Sequence, residues 1–301
     1  MHLYYSADYT AAAHVFDTTR KAGWIAESLD RVPVPGIHIV APVPLTDTQL
    51  VAVHTPEYVD AVRTGTPASL AESNGFPWDP AMWDAVCASN GGAVAAAMHA
   101  YREGTVAGSL SSGLHHARGG HGAGFCTFNG LALAARAVRD AGARRILVID
   151  LDAHIGGGTW SLVRGWPEVW QLDVAVVGAF DAYETSDAER VTLDVVHDSR
   201  EYLGLVSARL ERLPARFDVA LYNAGMDPHE DCPTGGHAGF DAALLGAREQ
   251  LVFEWARRSG VPIAFVLAGG YTGGEMSKDR LVGLHRLTIE AAARVRPSRH
   301  P

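Results

Sequence analysis

Three residues have the types and the spacing of a divalent-metal site. Asp152 and His154 are two positions apart, so both side chains lie on one side of an extended segment. Asp227 comes from a separate part of the chain. Two carboxylates and one imidazole leave a coordination position open for water, which is typical of catalytic rather than structural zinc. A single Asp-x-His is more often a turn at a strand end, so the hypothesis depends on the neighbouring segments.

Four further side chains have the chemistry of proton transfer and charge stabilisation. His115 and His116 titrate near neutral pH, so beside a metal site they can take and return a proton. Asp150 can orient one of these imidazoles by accepting its N–H. Tyr271 follows two glycines that let a substrate approach the backbone, and its phenol can donate to a developing oxyanion. The alternatives are two unrelated surface histidines and a buried tyrosine with a satisfied hydroxyl.

Apolar runs in the chain predict the elements that position these residues. Five β-branched runs are Val106–Leu110, Ile146–Leu151, Val169–Val177, Val219–Tyr222 and Ile263–Leu267. They are uninterrupted, which is typical of strands buried on both faces of a parallel sheet. Helical patterns cover Ala81–Tyr101, Leu131–Ala141, 240–255 and 284–295. The alternation predicts an open parallel α/β sheet, and four of the five runs are followed by His, Asp or Tyr at the edge where sites form.

Composition and charge exclude several classes of protein. The chain has 301 residues and is 48% hydrophobic, which excludes a disordered protein. It carries 25 Lys and Arg against 34 Asp and Glu, a formal net charge of −9. This balance argues against a nucleic-acid partner, because phosphate neutralisation needs clustered cations. The N-terminus has no secretory signal pattern, and no apolar run approaches the roughly 18 residues of a membrane span.

Cysteine usage and the lack of linkers predict the compartment and the domain organisation. Cys87, Cys126 and Cys232 are widely spaced and form no C-x-x-C. A disulfide framework and a cysteine-only zinc site are therefore not expected, and we expect a soluble protein of the reducing cytoplasm with no membrane partner. No linker or repeat divides the chain. We expect one domain over residues 1–296 and a short tail over 297–301, and the oligomeric state is left open.

Read together, these segments resemble the histone deacetylase superfamily, which includes acetylpolyamine amidohydrolases and other bacterial deacetylase-like enzymes. The matching stretches are GLHHARGGHGAGFCTFNGLALAA (113–135), ILVIDLDAHIGGGT (146–159), YNAGMDPHEDCPTGG (222–236) and LAGGY (267–271). The segment Val53–Val59, VHTPEYV, resembles the family's early V-H-S-P-E-Y. The resemblance runs from about residue 50 to residue 275 with the motifs in the family's order.

The resemblance implies a fold and two bound ions. The fold is that of arginases and deacetylases, a single α/β domain with a central, mostly parallel sheet of about eight strands flanked by helices. Zn²⁺ would be held by Asp152, His154 and Asp227, and Fe²⁺ suits the same O,O,N donor set. A structural monovalent cation, usually K⁺, would lie near Asp150, next to the backbone carbonyls of Asp152 and His154. Asp173 stands where the family usually has a Ser and could bind this ion through a carboxylate oxygen.

The resemblance also implies roles for the remaining residues. His116 would be the general base and then the general acid, with His115 as its electrostatic partner, paired to Asp150. Tyr271 would polarise the scissile carbonyl. Phe125, Gly124 and Gly270 would line a narrow tunnel for the acyl-amine chain.

The sequence departs from the family pattern at several positions. After the metal-binding His, the family usually has a second His, then Gly and Asp or Asn, whereas this chain reads His154-Ile155-Gly156-Gly157. Gly157 thus replaces the side chain expected to steady His116; either activity is lower or another residue substitutes. The early H-P-E-R-P-like element reads Phe16–Lys21, and R-P-P-G reads Leu110–Gly113. Substrate preference is therefore left open.

We predict a zinc-dependent amidohydrolase that cleaves an acylated amine, such as N-acetyl-lysine, an acetylpolyamine or a related small amide. Its partner would be that small molecule or acyl-lysine. One alternative is an arginase-like ureohydrolase with two manganese ions, which needs a further ligand where this chain has Gly156. The other alternative is a protein that binds acylated ligands without hydrolysing them, suggested by the missing partner of His116.

Overall fold

Eight parallel strands form the central layer of the molecule. The computed structural model describes residues 1–12, 17–214 and 216–295. Its strands are β1 (His2–Tyr4), β2 (His38–Val40), β3 (Val106–Ser109), β4 (Ile146–Asp150), β5 (Val169–Ala175), β6 (Val191–Val195), β7 (Val219–Ala224) and β8 (Ile263–Leu267). They pair in the order β2-β1-β3-β8-β7-β4-β5-β6, and every neighbouring pair is parallel. The predicted parallel α/β sheet of about eight strands is confirmed.

Helices cover both faces of this sheet. In the part of the chain that is described, they are α1 (Lys21–Arg31), α2 (Asp47–Leu50), α3 (Pro56–Thr64), α4 (Ala68–Ala71), α5 (Ala81–Glu103), α6 (Gly130–Asp140), α7 (Gly157–Val163), α8 (Ser199–Arg212), α9 (Ala242–Ser259) and α10 (Lys278–Arg294). Several helices begin with a side-chain N-cap. Asn129 accepts a backbone N–H at the start of α6, and Asp241 and Ser277 do the same at the starts of α9 and α10. Gly260 ends α9 in the left-handed conformation that glycine adopts without strain.

Side chains of the central strands alternate between two apolar layers. In β4, Leu147 and Ile149 belong to the layer that includes α1, α8, α9 and α10. Ile146 and Val148 point to the other face, where they belong to the layer formed with the alanines of α5 and α6. Because both faces are covered, successive positions of the strand are all apolar, which explains the uninterrupted runs in the sequence.

The predicted strands agree with the structure to within two residues at each end. The patterns do not predict β1, β2 and β6. Each of β1 and β2 has only three residues, and β2 and β6 are the two edge strands, with partly exposed side chains. α5 and α6 also match their predicted ranges to within two residues. α10 begins earlier than predicted, at Lys278, because Ser277 caps it there.

The carboxyl edge of the sheet gathers polar side chains into one row. Asp150, the last residue of β4, has Asp173 of β5 as its register partner on one side. On the other side its partner is Asn223 of β7. Loops that follow these strands therefore begin close together, as expected for a site at this edge.

The remaining sequence predictions concern two short segments, the cysteines and membrane-spanning helices. The predicted tail, 297–301, and Phe16 of the early element lie outside the described residues. The three cysteines are buried and free. Among the described residues, no helix is both long enough and apolar enough to cross a membrane.

Candidate active site

The loops after β4 and β7 bring Asp152, His154 and Asp227 together. Nδ1 of His154 lies 3.2 Å from Oδ1 of Asp152 and 3.1 Å from Oδ2 of Asp227. One ligand atom from each residue lies within 4.8 Å of the others, and within the described ranges no other group of three His, Cys, Asp or Glu residues does so. A buried group with two carboxylates and one imidazole can therefore hold a metal ion, as the donor types require.

Backbone groups orient these two carboxylates. Oδ2 of Asp152 accepts the N–H of Gly269 over 2.7 Å, and Oδ1 of Asp227 accepts the N–H of Ala153 over 2.9 Å. A Cβ atom on Gly269 would lie 2.0 Å from Asp227 and 2.5 Å from Asp152, so only glycine fits at this position. The remaining oxygen of each carboxylate faces His154. The arrangement forms a cradle for one cation.

The charges of this group favour a cation. Burial, followed by the charge of Asp152, raises the pKa of Asp227 to about 6. Burial alone would lower the pKa of His154, but hydrogen bonds with Asp152 and Asp227 raise it to about 11. A protonated His154 supplies the positive charge between the two buried carboxylates when no metal is bound. A divalent ion would take the place of this proton, and the residues present satisfy its donor set.

His115 and His116 are each held at Nδ1 by a carboxylate. Nδ1 of His115 lies 2.8 Å from Oδ2 of Asp150, and Nδ1 of His116 lies 2.9 Å from Oδ2 of Asp181. The Nε2 atoms of the two rings then lie 3.1 Å apart. Nε2 of His115 is also 3.6 Å from Oδ1 of Asp152. The two Nε2 atoms therefore face each other next to the candidate metal ligand Asp152.

The surroundings give the two histidines opposite protonation states. Burial alone would lower the pKa of His115, but the carboxylates of Asp150 and Asp152 raise it to about 10. Burial and the positive charge of His115 lower the pKa of His116 to about 4. At neutral pH the pair thus holds one imidazolium and one neutral imidazole. The neutral ring, His116, is the one that can accept a proton.

Asp181 is a site residue that the sequence patterns do not predict. It follows β5, the one predicted strand for which no site residue was expected beyond its carboxyl end, and its carboxylate is 4% exposed. Oδ2 also accepts the N–H of Gly158 over 2.9 Å, and Arg118 donates to Oδ1. Burial alone would raise the pKa of Asp181, but the hydrogen bond from His116 and these other donors hold it below its ordinary value. Its position at the same sheet edge was the available signal.

Aromatic side chains lie beside the histidine pair. The ring of Phe180, which is 43% exposed, lies 4.7 Å from the ring of His116 at an angle of 79°. A Cβ atom on Gly124 would lie 2.6 Å from His116 and 3.0 Å from Phe180, so Gly124 is in contact with both rings. Phe125 follows in a left-handed conformation, and its ring is 5.4 Å from that of Phe76. Phe180, like Asp181, is absent from the sequence predictions.

Tyr271 comes from the loop after β8. Burial, followed by the charges of Asp227 and Asp152, raises the pKa of its phenol well above the ordinary value. The phenol therefore remains protonated at neutral pH and can act as a hydrogen-bond donor. The preceding Gly270 lies against a helix: a Cβ atom there would be 2.8 Å from Nε2 of His285. The glycine thus allows this loop to pack closely on α10.

Asp150, Asp173 and Asn223 form a second polar group beneath the histidine pair. Oδ1 of Asp150 accepts the side-chain N–H of Asn223 over 2.8 Å. Oδ2 of Asp173 accepts the N–H of Gly156 over 2.9 Å and the hydroxyl of Tyr183 over 3.2 Å. Oδ1 of Asp173 is buried and has no hydrogen-bond partner. Burial and the charge of Asp150 raise the pKa of Asp173 well above its usual range. An unpaired buried oxygen is suited to bind a cation.

Comparisons with known proteins identify a family model and relatives to which the chain is similar. Residues 14–284 match the family model described as the histone deacetylase domain. The chain is 33% identical over 223 residues to an uncharacterized protein of Picosynechococcus sp. (strain ATCC 27264 / PCC 7002 / PR-6), and the match covers 73% of this chain and 74% of that protein. It is 26% identical over 253 residues to histone deacetylase 2 of Arabidopsis thaliana, covering 77% of this chain and 63% of that protein.

Two more matches concern a bacterial relative and a solved structure. The chain is 27% identical over 215 residues to the acetoin utilization protein AcuC of Bacillus subtilis (strain 168), covering 64% of this chain and 56% of that protein. It thus spans less than two thirds of AcuC and of the Arabidopsis relative. The fold matches the crystal structure of the HDA15 HD domain with a TM-score of 0.81 at 19% identity, over 99% of this chain and 90% of that one.

Proposed function

Because the chain belongs to the histone deacetylase family, we propose that it is a zinc-dependent deacylase that hydrolyses the amide of an acylated amine. The substrate class is N-acetyl-lysine, an acetylpolyamine or a related linear amide. One observation carries the proposal: the Nε2 atoms of His115 and His116 meet 3.1 Å apart, beside a cluster of two aspartates and a histidine. A proton acceptor next to a cation site is the requirement for metal-assisted amide hydrolysis.

Asp152, His154 and Asp227 would hold the divalent ion. We propose Zn²⁺, and Fe²⁺ suits the same donors. A divalent ion bound there would lower the pKa of a water molecule and polarise the amide carbonyl. The ligand set carries two negative charges, so it acidifies water less than three histidines would, and a neighbouring base is needed.

His116 supplies that base in our proposal. Its neutral ring accepts a proton from the attacking water at Nε2 and later returns the proton to the departing amine nitrogen. His115, which Asp150 keeps protonated, contributes positive charge next to the reacting atoms. Tyr271 donates a hydrogen bond to the carbonyl oxygen as negative charge develops on it. Each role uses the protonation state that the surroundings of that residue favour.

We also propose a structural monovalent cation, K⁺ or a similar ion. Its ligands would be the carboxylates of Asp150 and Asp173 together with the backbone carbonyls of Asp152 and His154. The unpartnered buried oxygen of Asp173 supports this assignment. Such an ion would offset the negative charge of the two aspartates and fix the end of β4.

The wall of the substrate tunnel would include Phe125, Gly124 and Gly270. Phe180 is a further candidate, because its ring is in contact with His116 and remains partly exposed. An aromatic wall favours an extended, largely apolar chain, such as the methylene chain of an acyl-lysine or an acylpolyamine. The substrate then presents its amide to the histidine pair at the end of that chain.

A substrate panel with metal analysis tests the proposed function. The purified protein is assayed on acyl-lysine peptides and acylated polyamines that vary in acyl length, and bound metals are quantified in the same sample. We expect release of free amine, about one zinc or iron per chain, and loss of hydrolysis when a chelator removes the ion. Two manganese ions per chain with hydrolysis of a guanidinium substrate would instead support the ureohydrolase alternative. Tight hydroxamate binding without hydrolysis of any substrate would support the non-hydrolysing alternative.

A further inference from the structure

We propose that Asp181, on the loop after β5, is the positioning residue for His116 and replaces the side chain that this chain lacks at Gly157. The inference rests on the proposed function, because it assigns His116 the role of general base. Asp181 lies on a different loop from Gly157, the position of the missing side chain. With Asp181 as its partner, His116 has the orienting carboxylate whose absence suggested a protein that does not hydrolyse its ligands.

The contact between Asp181 and His116 has the geometry of a base and its orienting carboxylate. Oδ2 of Asp181 lies 2.9 Å from Nδ1 of His116, and the opposite nitrogen, Nε2, faces His115. A carboxylate at Nδ1 places the proton of a neutral imidazole on Nδ1 and leaves the lone pair on Nε2. Asp150 likewise meets Nδ1 of His115, at 2.8 Å. Both rings of the pair are therefore oriented in the same way.

Asp181 is itself rigidly held. Its two oxygens accept hydrogen bonds from His116, from the N–H of Gly158 and from the guanidinium of Arg118. Its side chain is 4% exposed, and the side chain of its partner Arg118 is 34% exposed. Three donors keep the carboxylate ionised and fix the direction from which it meets the ring. A residue present only by chance on a surface loop would not have this set of partners.

Gly157 and Asp181 are sterically coupled. A Cβ atom on Gly157 would lie 2.0 Å from the backbone oxygen of Asp181 and 2.7 Å from its Oδ1. Any side chain at position 157 would therefore displace the loop that carries Asp181. Asp181 adopts a φ of +62°, a left-handed conformation that Asp tolerates better than most residues. The glycine at 157 and the aspartate at 181 are thus two parts of one arrangement that delivers a carboxylate to His116.

Loss of Asp181 should change turnover more than substrate binding. Its hydrogen bonds are with His116, Gly158 and Arg118, not with a candidate metal ligand. Without it, the ring of His116 is free to rotate and to exchange tautomers, so the lone pair is aimed at the water for only part of the time. General base catalysis contributes about 10² to 10⁴-fold, which sets the upper limit of the loss.

The test compares three variants of the full chain on a substrate that the wild type hydrolyses. Asp181→Gly removes the carboxylate and suits the left-handed backbone, while Asp181→Asn keeps the shape and removes the charge. Glu184→Gln, at an exposed position of the same loop, is the matched control. We expect Asp181→Gly to lower kcat by about 10²-fold with KM changed less than about twofold. Asp181→Asn should be intermediate, and Glu184→Gln should equal the wild type.

A second readout does not depend on activity. In protein labelled with ¹⁵N-histidine, the His116 signals are assigned from their absence in His116→Gln, and the tautomer is read from its Nδ1 and Nε2 shifts. We expect an Nδ1–H tautomer in the wild type and a mixture in Asp181→Gly. Unchanged tautomer and unchanged kcat in Asp181→Gly would overturn the inference. If no substrate is hydrolysed by the wild type, the proposed function fails, whereas the tautomer measurement still decides whether Asp181 positions His116.

Discussion

The backbone N–H of Asn129 donates to Nε2 of His54 over 3.0 Å. On the other side of the same ring, Nδ1 lies 2.9 Å from the carbonyl oxygen of Arg118. The side chain of Asn129 in turn donates to the carbonyl oxygens of His115 and Ala117. One neutral imidazole thus connects the start of α6 to the loop that carries the histidine pair. The geometry requires a proton on Nδ1 and a lone pair on Nε2 of His54.

This requirement predicts loss of stability in mild acid. Burial lowers the pKa of His54 to about 4, against about 6.5 in an unfolded chain. Between these values the unfolded chain binds a proton that the folded chain does not. The neutral, buried His54 therefore costs no stability above pH about 6.5. As the pH falls from there to about 4, the free energy of unfolding decreases by up to roughly 3 kcal/mol.

Urea unfolding at several pH values checks this prediction. The free energy of unfolding is measured from pH 7 to pH 4.5 for the wild type, for His54→Gln and for His38→Gln, whose side chain is exposed. We expect His54→Gln to be less stable at pH 7 and to show a shallower decrease towards acid. His38→Gln should follow the wild type. Equal slopes for the wild type and His54→Gln would show that His54 is not the group responsible.

Tyr271→Phe should retain the fold and lose most of the activity. The phenylalanine keeps the ring that packs near Met226, Cys232 and Met276 and removes only the hydroxyl. Removal of one donor to a developing oxyanion lowers turnover by about 10² to 10³-fold. The measurement is kcat on a substrate of the wild type, with hydroxamate binding and metal content as controls that should change little. Full activity of Tyr271→Phe would exclude the donor role.

The proximity of the candidate metal ligands and the histidine pair could be predicted from the sequence because these residues follow buried strands. Asp152 and His154 follow β4, and the uninterrupted apolar run before them locates that strand to within one residue. His115 and His116 follow β3 after a short loop. In a parallel sheet the carboxyl ends of all strands lie at one edge, so the parallel pattern predicts that such residues share that edge.

Asp181, in contrast, could not be predicted as the partner of His116. It lies several residues beyond the end of β5, in a loop without apolar periodicity and in a left-handed conformation. Its role depends on where that loop crosses Gly157, which is a tertiary contact. β1 and β2 escape prediction for a related reason, since their three residues each are too few to show a pattern. Short and irregular segments are defined by their neighbours rather than by their own sequence.

Asp227→Asn should remove most of the stabilisation that a divalent ion gives the protein. Asparagine keeps an oxygen for the N–H of Ala153 but carries no negative charge. In the metal-free chain the substitution relieves the repulsion between Asp227 and Asp152, and it also removes a carboxylate that keeps His154 protonated. Because these two effects oppose each other, the quantity to compare is the change in stability on addition of the ion.

Addition of Zn²⁺ should stabilise the wild type more than the variant. Zn²⁺ at 100 times its dissociation constant stabilises a protein by about 2.7 kcal/mol, and the variant, with one charged ligand fewer, should gain much less. Melting temperatures with and without Zn²⁺, together with zinc content after dialysis, give both comparisons. Equal zinc-dependent stabilisation of the wild type and Asp227→Asn would argue against Asp227 as a ligand.

The surroundings of Asp173 predict that the stability of the protein depends on monovalent cations, separately from the divalent ion. Its Oδ1 is buried without a partner, and Asp150 is its register neighbour on β4. A K⁺ ion bound there would compensate two carboxylates in the folded chain only. K⁺ should therefore raise the melting temperature of the wild type relative to a bulky organic cation at equal ionic strength.

Asp173→Asn removes one of the charges and should reduce that K⁺-dependent increase. Asp187→Asn, a partly exposed site paired with Arg190, is the control and should retain it. Equal stabilisation of all three proteins by K⁺ would show that the ion acts on the surface in general and does not bind at Asp173. The unpaired oxygen of Asp173 would then have a different partner, such as its own proton.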